Sequence, residues 1–389
     1  MALLLGLAAL AFLQGPSAGS AAAAPQDGQP WRVVYVEGGP WRDYAMNLLG
    51  LAHGLENLQL IEDGRAPMPA QDDDASSIWR WLAANAGGGR LAFLPDGFYS
   101  AGWDEERLLE IKQAVLRRLA AGEVDLVLAF GTAAGGQMGT AEHSTPTLII
   151  TATDPVAAGL SQTEERSGLE HVHVQVEAGK IERQLSIFHN FFRFKTLGVP
   201  LDVTPEGRDS MGAATIERLA AELGFELRPC LAELEIPDKE ESHRNLLDCL
   251  ERLSDEADAV YLTVSNGMIE SRMADIMAPM KAKRRPTFSQ KGPSETKLGV
   301  LMSLAEDDFV SSGRFVAETV LAVLSGRSPG SLNQLYLAPL TMALNLKTAI
   351  DIGWNPSFEA LAAVDELYVG GSDELYVAES DDEQAAAFQ

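Results

Sequence analysis

The chain has 389 residues, 46% of them hydrophobic and 22% charged, and a net charge of -26. That length exceeds one small core and fits two domains. The acidic balance excludes nucleic acid as a partner, because phosphate binding needs clustered Lys and Arg. The short acidic blocks Asp72-Asp73-Asp74 and Glu379 to Glu383 read as solvated surface.

The opening stretch MALLLGLAALAFLQGPSAGSAAAAPQDG is apolar at first, then small and polar. It has the h-region and small-residue cleavage zone of a secretory signal over residues 1–24, without the usual Lys or Arg ahead of the apolar run. Gly15 and Pro16 interrupt that run well short of the roughly 20 apolar residues that span a bilayer. No Cys follows it to carry a lipid, so the expectation is an exported, soluble, periplasmic protein.

Strand and helix patterns then alternate. Trp31 to Val36 reads as a strand, Trp41 to Leu55 as a helix, Leu58 to Ile61 as a second strand and SSIWRWLAANA from Ser76 as a helix. Arg90 to Leu94 is a third strand, Asp104 opens the next helix, and Asp125 to Phe130 is a fourth strand with a Gly-Thr-Ala-Ala-Gly-Gly turn behind it. Thr147 to Ile150 is the fifth; it ends in Thr151-Ala152-Thr153-Asp154, and Pro155 closes off further pairing.

A second series follows. Ala178 to Phe192, Ser210 to Leu223, Glu240 to Ser254 and Met268 to Lys283 have helical spacing. Leu197 to Val199, Glu226 to Leu227, Asp258 to Thr263, PTFSQ from Pro286 and LGVLMS from Leu298 read as strands. Such βα alternation implies α/β lobes with doubly wound, mostly parallel sheets. DELYV occurs at Asp365 to Val369 and again at Asp373 to Val377, and the acidic end over 369–389 reads as disordered. Cys230 follows a strand and Cys249 lies within the helix LLDCLERL. Export leaves a disulfide chemically open, while two buried free thiols is the reading preferred.

Catalytic signatures are weak. No GxSxG elbow, HExxH or Walker loop occurs, and His171 with His173 makes at most half a metal site. Neither a metal nor a cofactor is expected. The binding case is better, because loops with Gly and small polar residues follow several strands in corresponding places: Glu37-Gly38-Gly39-Pro40-Trp41, Gly131-Thr132-Ala133-Ala134, Thr151 to Asp154, and Ser265-Asn266-Gly267-Met268. Open α/β sheets bind ligands outside the carboxyl ends of their strands, where helix N-termini favour anions. Trp41 supplies an aromatic face.

Several strings carry a resemblance. TPTLIITATDPVAAGL, DLVLAFGTAAGGQ, LGVPLDVTPEGR, DAVYLTVSNGM, GRFVAETVLAVLSGRSPGSL and NLKTAIDIGWNPS, in this order and spacing, resemble the periplasmic substrate-binding proteins of ABC transporters, in the family that includes tryptophan- and tyrosine-binding members. The resemblance runs from about Trp31 to Tyr368. It implies a type I two-lobed fold joined by a three-stranded hinge, with lobe 1 at 30–160 plus 305–330 and lobe 2 at 161–304 plus 331–368. It implies a small-molecule ligand, an amino acid or related organic acid. Gly38, Trp41, Thr132, Ala133, Thr153 and Asp154 would hold it on one side, and Thr204, Ser265, Asn266 and Ser289 on the other. The partners implied are ABC permease transmembrane subunits. Where family members often carry acids, this chain has Ser265 and Gln290-Lys291-Gly292. Asp154 is then the clearest partner for an ammonium, with Glu295 and Glu37 in reserve. The alternatives are a ligand-sensing module feeding a membrane sensor kinase and a secreted α/β enzyme.

Overall fold

The computed structural model describes residues 28–69, 74–177, 179–305 and 309–369, and the backbone of 375–377. The expected signal segment, Asp72, Asp73 and the block Glu379 to Glu383 lie outside the described residues. Among the described residues no helix is long and apolar enough to cross a membrane.

The first series runs β1 (Trp31–Glu37), α1 (Arg42–Asn57), α2 (Ala75–Asn85), β2 (Leu91–Ser100), α3 (Glu105–Ala120), β3 (Leu126–Phe130), α4 (Gly131–Met138), β4 (Thr147–Ile150) and β5 (Val172–Val174). Its five strands form one parallel sheet in the order β2-β1-β3-β4-β5. Every residue of β3 and β4 is buried, as expected for strands covered by helices on both faces. α3 shows why its segment is a helix. The Asp104 carboxylate caps it by accepting from the Arg107 N–H at 3.0 Å, Glu105 and Glu106 open it, and Arg117 and Arg118 close it. Leu108, Ile111, Val115 and Leu119 supply the buried stripe.

The chain leaves this sheet through β6 (Val176–Glu177) and α5 (Lys180–Phe192). The second series is β7 (Thr196–Asp202), α6 (Pro205–Ser210), α7 (Ala213–Leu223), β8 (Glu226–Ala232), α8 (Lys239–Glu256), β9 (Ala259–Leu262), α9 (Met273–Ala282), β10 (Thr287–Ser289), α10 (Pro293–Lys297) and β11 (Met302–Ala305). α11 (Phe309–Leu324) returns to the first lobe and packs on α1 so closely that a Cβ on Gly50 would lie 2.1 Å from the Phe309 carbonyl oxygen. β12 (Leu335–Tyr336) pairs in parallel with β6. β13 (Thr341–Asn345), α12 (Leu346–Asp351), α13 (Phe358–Ala362), β14 (Glu366–Tyr368) and β15 (Leu375–Val377) complete the second lobe. Its eight-stranded sheet has the order β15-β14-β13-β11-β10-β9-β7-β8, parallel from β11 to β8. The molecule therefore has two α/β lobes with three chain crossings between them.

Four expectations are corrected. Leu58 to Ile61 is a turn rather than a strand; the Leu58 and Leu60 N–H groups bond back to Gly54 and Leu55 at the end of α1, and Leu60 and Ile61 bury their side chains in the first core. β5 extends the first sheet, so the chain stays in that lobe past residue 161, where the second was expected to begin. Cys230 and Cys249 form a disulfide, with Cα atoms 5.7 Å apart, because α8 lies back across β8. The second DELYV copy is not disordered throughout: β15 pairs antiparallel with β14, Leu367 opposite Tyr376, so the two copies of the repeat form one ladder.

Candidate functional site

The carboxyl ends of both sheets meet at a cleft of about 380 Å³ between the lobes. On the first wall β3 runs directly into α4, with no intervening turn. Gly131 makes this possible at φ 84°, and the Tyr44 hydroxyl lies only 1.9 Å from where a Cβ would sit. Thr132 and Ala133, in the first turn of α4, line the cleft. The Thr132 hydroxyl accepts from the Thr153 N–H at 3.1 Å and ties the loop after β4 to this helix.

That loop explains why β4 stops. The backbone enters the left-handed region at Thr151 (φ 58°) and at Asp154 (φ 41°), conformations that cost on the order of 1–3 kcal/mol each and cluster at ligand sites. The turns present Thr151, Ala152, Thr153 and Asp154 to the cleft. One Asp154 oxygen accepts from the Ala157 N–H at 3.3 Å, while the other is buried and unpartnered. Trp41 and Trp103 complete the wall, edge to face with ring centres 6.4 Å apart. Gly38 does not line the cleft. With Gly39 it makes room for the Trp103 ring, and the Trp103 backbone N–H bonds the Gly38 carbonyl at 2.7 Å.

The second wall differs from the expectation. Thr204, Ser265, Asn266 and Ser289 do not line the cleft. Thr204 caps α6, accepting from the Gly207 N–H at 3.0 Å and donating to Asp202 at 2.7 Å. Ser265 and Asn266 are buried where the loop after β9 folds against α8, held by the Gly267 carbonyl on His243 Nδ1 at 2.8 Å. Ser289 donates to Glu295 at 2.6 Å. The residues that reach the cleft are Glu235, Val264, Gln290 and Lys291, with Lys180 and Arg218 beside them. Gln290 bridges the wall, accepting from the Val264 N–H at 2.9 Å and donating to the Met211 carbonyl at 2.9 Å.

The reserve acids are both committed elsewhere. Glu37 is buried under the first wall and accepts from the Tyr35 hydroxyl at 2.5 Å. Burial, opposed by Lys291 and the Ser289 hydrogen bond, pushes the Glu295 carboxyl up to about 7. The acid that sequence reasoning missed is Glu235. Its backbone N–H bonds Asp202 at 2.8 Å. Burial and then the Asp202 charge push its carboxyl up to about 8, against a lowering hydrogen bond from the Asn266 backbone. Burial raises the Tyr44 hydroxyl as well, with Glu235 the next contributor, which places that phenol and carboxylate within each other's field. Burial lowers the Lys291 ammonium, but Asp43, Glu295 and Glu270 outweigh it and the net shift is upward. Lys291 lines the cleft, 2.8 Å from Glu270 and 5.5 Å from the centre of the Trp41 ring.

Four lining atoms are buried without a partner: Trp103 Nε1, Thr151 Oγ1, Asp154 Oδ2 and Glu177 Oε1. A donor, a hydroxyl and two carboxylate acceptors converging on one cleft are equipped to bind a polar ligand.

Solved structures share this architecture. A conserved domain protein from Vibrio cholerae is 18% identical with a TM-score of 0.65, covering 87% of this chain and 100% of its own. The ABC domain from Streptococcus pneumoniae in complex with L-Trp is 15% identical with a TM-score of 0.63, covering 88% of this chain and 100% of its own. A ligand-free, open substrate-binding protein with adhesive properties from Clostridium difficile is 17% identical with a TM-score of 0.57, covering 88% and 99%. No curated protein sequence matches the chain. The family model described as ABC transporter substrate binding protein matches residues 100–357, more than half of the sequence. The chain therefore belongs to the ABC transporter substrate-binding proteins, a family that binds solutes and performs no reaction on them.

Proposed function

We propose that the protein is a periplasmic solute receptor that takes an amino-acid-like ligand between its lobes and delivers it to the transmembrane subunits of an ABC permease. The observation that carries this reading is the pairing, in one cleft, of the unpartnered Asp154 carboxylate oxygen with the unpartnered Trp103 indole N–H. A carboxylate with a buried oxygen that no base reaches calls for an ammonium group, and a buried indole N–H calls for a carboxylate or carbonyl oxygen. A purely anionic organic acid suits the cleft less well, since its bases are already engaged with carboxylates. Native mass spectrometry of the protein purified without denaturant, followed by identification of what unfolding releases, tests the reading. A stoichiometric amino compound bearing an oxygen acceptor supports it; a released ligand without an amine overturns it.

A further inference from the structure

The cleft is rich in acidic side chains. Its lining carries six carboxylates, Asp43, Asp154, Glu164, Glu177, Glu182 and Glu235, against three bases. Each base is already engaged: Lys180 with Glu177 at 3.2 Å, Arg218 with Glu182 and with Glu222 at 3.0 Å, and Lys291 with Glu270 at 2.8 Å. Among the described residues no ion pair reaches Asp43, Asp154, Glu164 or Glu235. Glu164 is exposed at the rim, and Asp43 already lies in the field of Lys291. Asp154 on the first wall and Glu235 on the second remain.

A single ammonium answers only one of them. The acid left behind would stay half-buried beside like charge, with Asp202 behind it on the Glu235 side. Glu235 also has what a cation site needs around it. The Tyr44 phenol faces it from the first wall, and Trp41 and Trp103 add aromatic rings to the same cleft.

We propose that the ligand is a basic amino acid: its α-ammonium is held at Asp154, its carboxylate is met by the Trp103 indole, and its side-chain cation docks at Glu235. This rests on the amino-acid reading above and adds the second charge to it. The net charge of -26 would favour capture of such a ligand by long-range attraction.

L-lysine and L-norleucine make a discriminating pair, because they differ at the side-chain end by the ammonium alone. Calorimetric titration of the full-length protein, stripped of bound ligand and refolded, is expected to show lysine, arginine or ornithine binding about 30-fold or more tighter than norleucine. Glu235→Gln is expected to reduce that ratio by about tenfold or more, and Glu235→Asp to retain part of it. Should Glu235→Gln fold poorly, the wild type supplies a second readout. Titration in buffers of different ionisation enthalpy should reveal proton release on lysine binding and none on norleucine binding. Equal affinity for lysine and norleucine overturns the second charge and leaves the amino-acid reading standing. Tight lysine binding that is indifferent to Glu235→Gln and releases no proton overturns Glu235 as its partner. Failure of every amino acid, glutamate and tryptophan included, overturns both.

Discussion

On the first lobe the small polar residues beyond β3 and β4 reach the cleft, whereas on the second lobe their counterparts Thr204, Ser265, Asn266 and Ser289 turn back into the protein. The difference is local. α4 begins at the residue after its strand ends, and left-handed turns at Thr151 and Asp154 present short side chains to the cleft. In the second lobe Thr204 caps a helix, Ser289 serves Glu295, and Ser265 with Asn266 is covered by α8. The cleft there is lined instead by their neighbours Val264, Gln290 and Lys291 and by Glu235 beyond β8. The same small polar residues at a strand end make a binding surface in one lobe and a scaffold in the other.

The sharpest way to break this comparison is Asp154→Ala. If the first wall binds directly, the substitution costs about 2–5 kcal/mol of ligand affinity, since it strips the partner from a buried ammonium. The fold should be unaffected, and calorimetric titration beside a thermal melt separates the two outcomes. Unchanged affinity would remove Asp154 from the site and with it the contrast between the walls.

A second test acts on the other lobe alone. The disulfide joins β8 to α8 across a separation of 19 residues, a loop for which chain entropy predicts about 3 kcal/mol of stabilisation. Cys230→Ala with Cys249→Ala should lower the unfolding free energy by about that amount, measured by denaturant titration. Because β8 leads into Glu235, ligand affinity should also fall modestly. Loss of first-lobe structure before second-lobe structure would contradict this assignment.

The sequence exposes the two lobes because parallel, doubly covered strands such as Leu126–Phe130 are continuous apolar runs, and helices such as α3 carry their own cap and buried stripe. It misplaces Leu58 to Ile61 because four apolar residues after a helix look alike whether they pair in a sheet or fold into a core. On the first wall, Trp41, Thr132, Ala133, Thr153 and Asp154 line the cleft, because the loops beyond β1, β3 and β4 open onto it. Glu235 is not legible. It is one carboxylate in AELEIPD within a strongly acidic chain, and only the Asp202 bond to its N–H turns it toward the cleft. Trp103 is likewise visible only once Gly38 and Gly39 are seen to make room for it. The disulfide escapes for the same reason, as it depends on where α8 lies over β8.

Glu235 also gives a pH signature. Its ordinary value of 4.5 is raised to about 8 in the folded protein, by burial first and then by Asp202. The folded state thus holds a proton that the unfolded state releases. The contribution to stability is full below about 4.5 and is lost as pH rises through about 8. Solvent still reaches part of this carboxylate, so the loss across that window should be on the order of 2 kcal/mol rather than the full linkage value. Melting temperatures from pH 5 to 8.5 should slope downward for the wild type and less steeply for Glu235→Gln. Parallel profiles would mean that Glu235 keeps an ordinary carboxylate environment and that the second wall is more open than the Tyr44 and Asp202 contacts make it.

The smallest effect is the most pointed about scaffolding. Thr204→Ala removes the cap of α6 and one hydrogen bond to Asp202, a loss of about 1 kcal/mol. Thr204 itself does not line the cleft, and Asp202 keeps its bonds to the Leu234 and Glu235 N–H groups, so the carboxylate wall stays in place. Stability should therefore fall by that amount while ligand affinity stays within error, the reverse of the pattern at Asp154. If Thr204→Ala instead weakened binding as strongly as Asp154→Ala without a stability change, the hydroxyl would be a direct ligand contact. The second lobe would then read out its strand ends as the first does, with the lobes moving enough on binding to bring Thr204 to the surface.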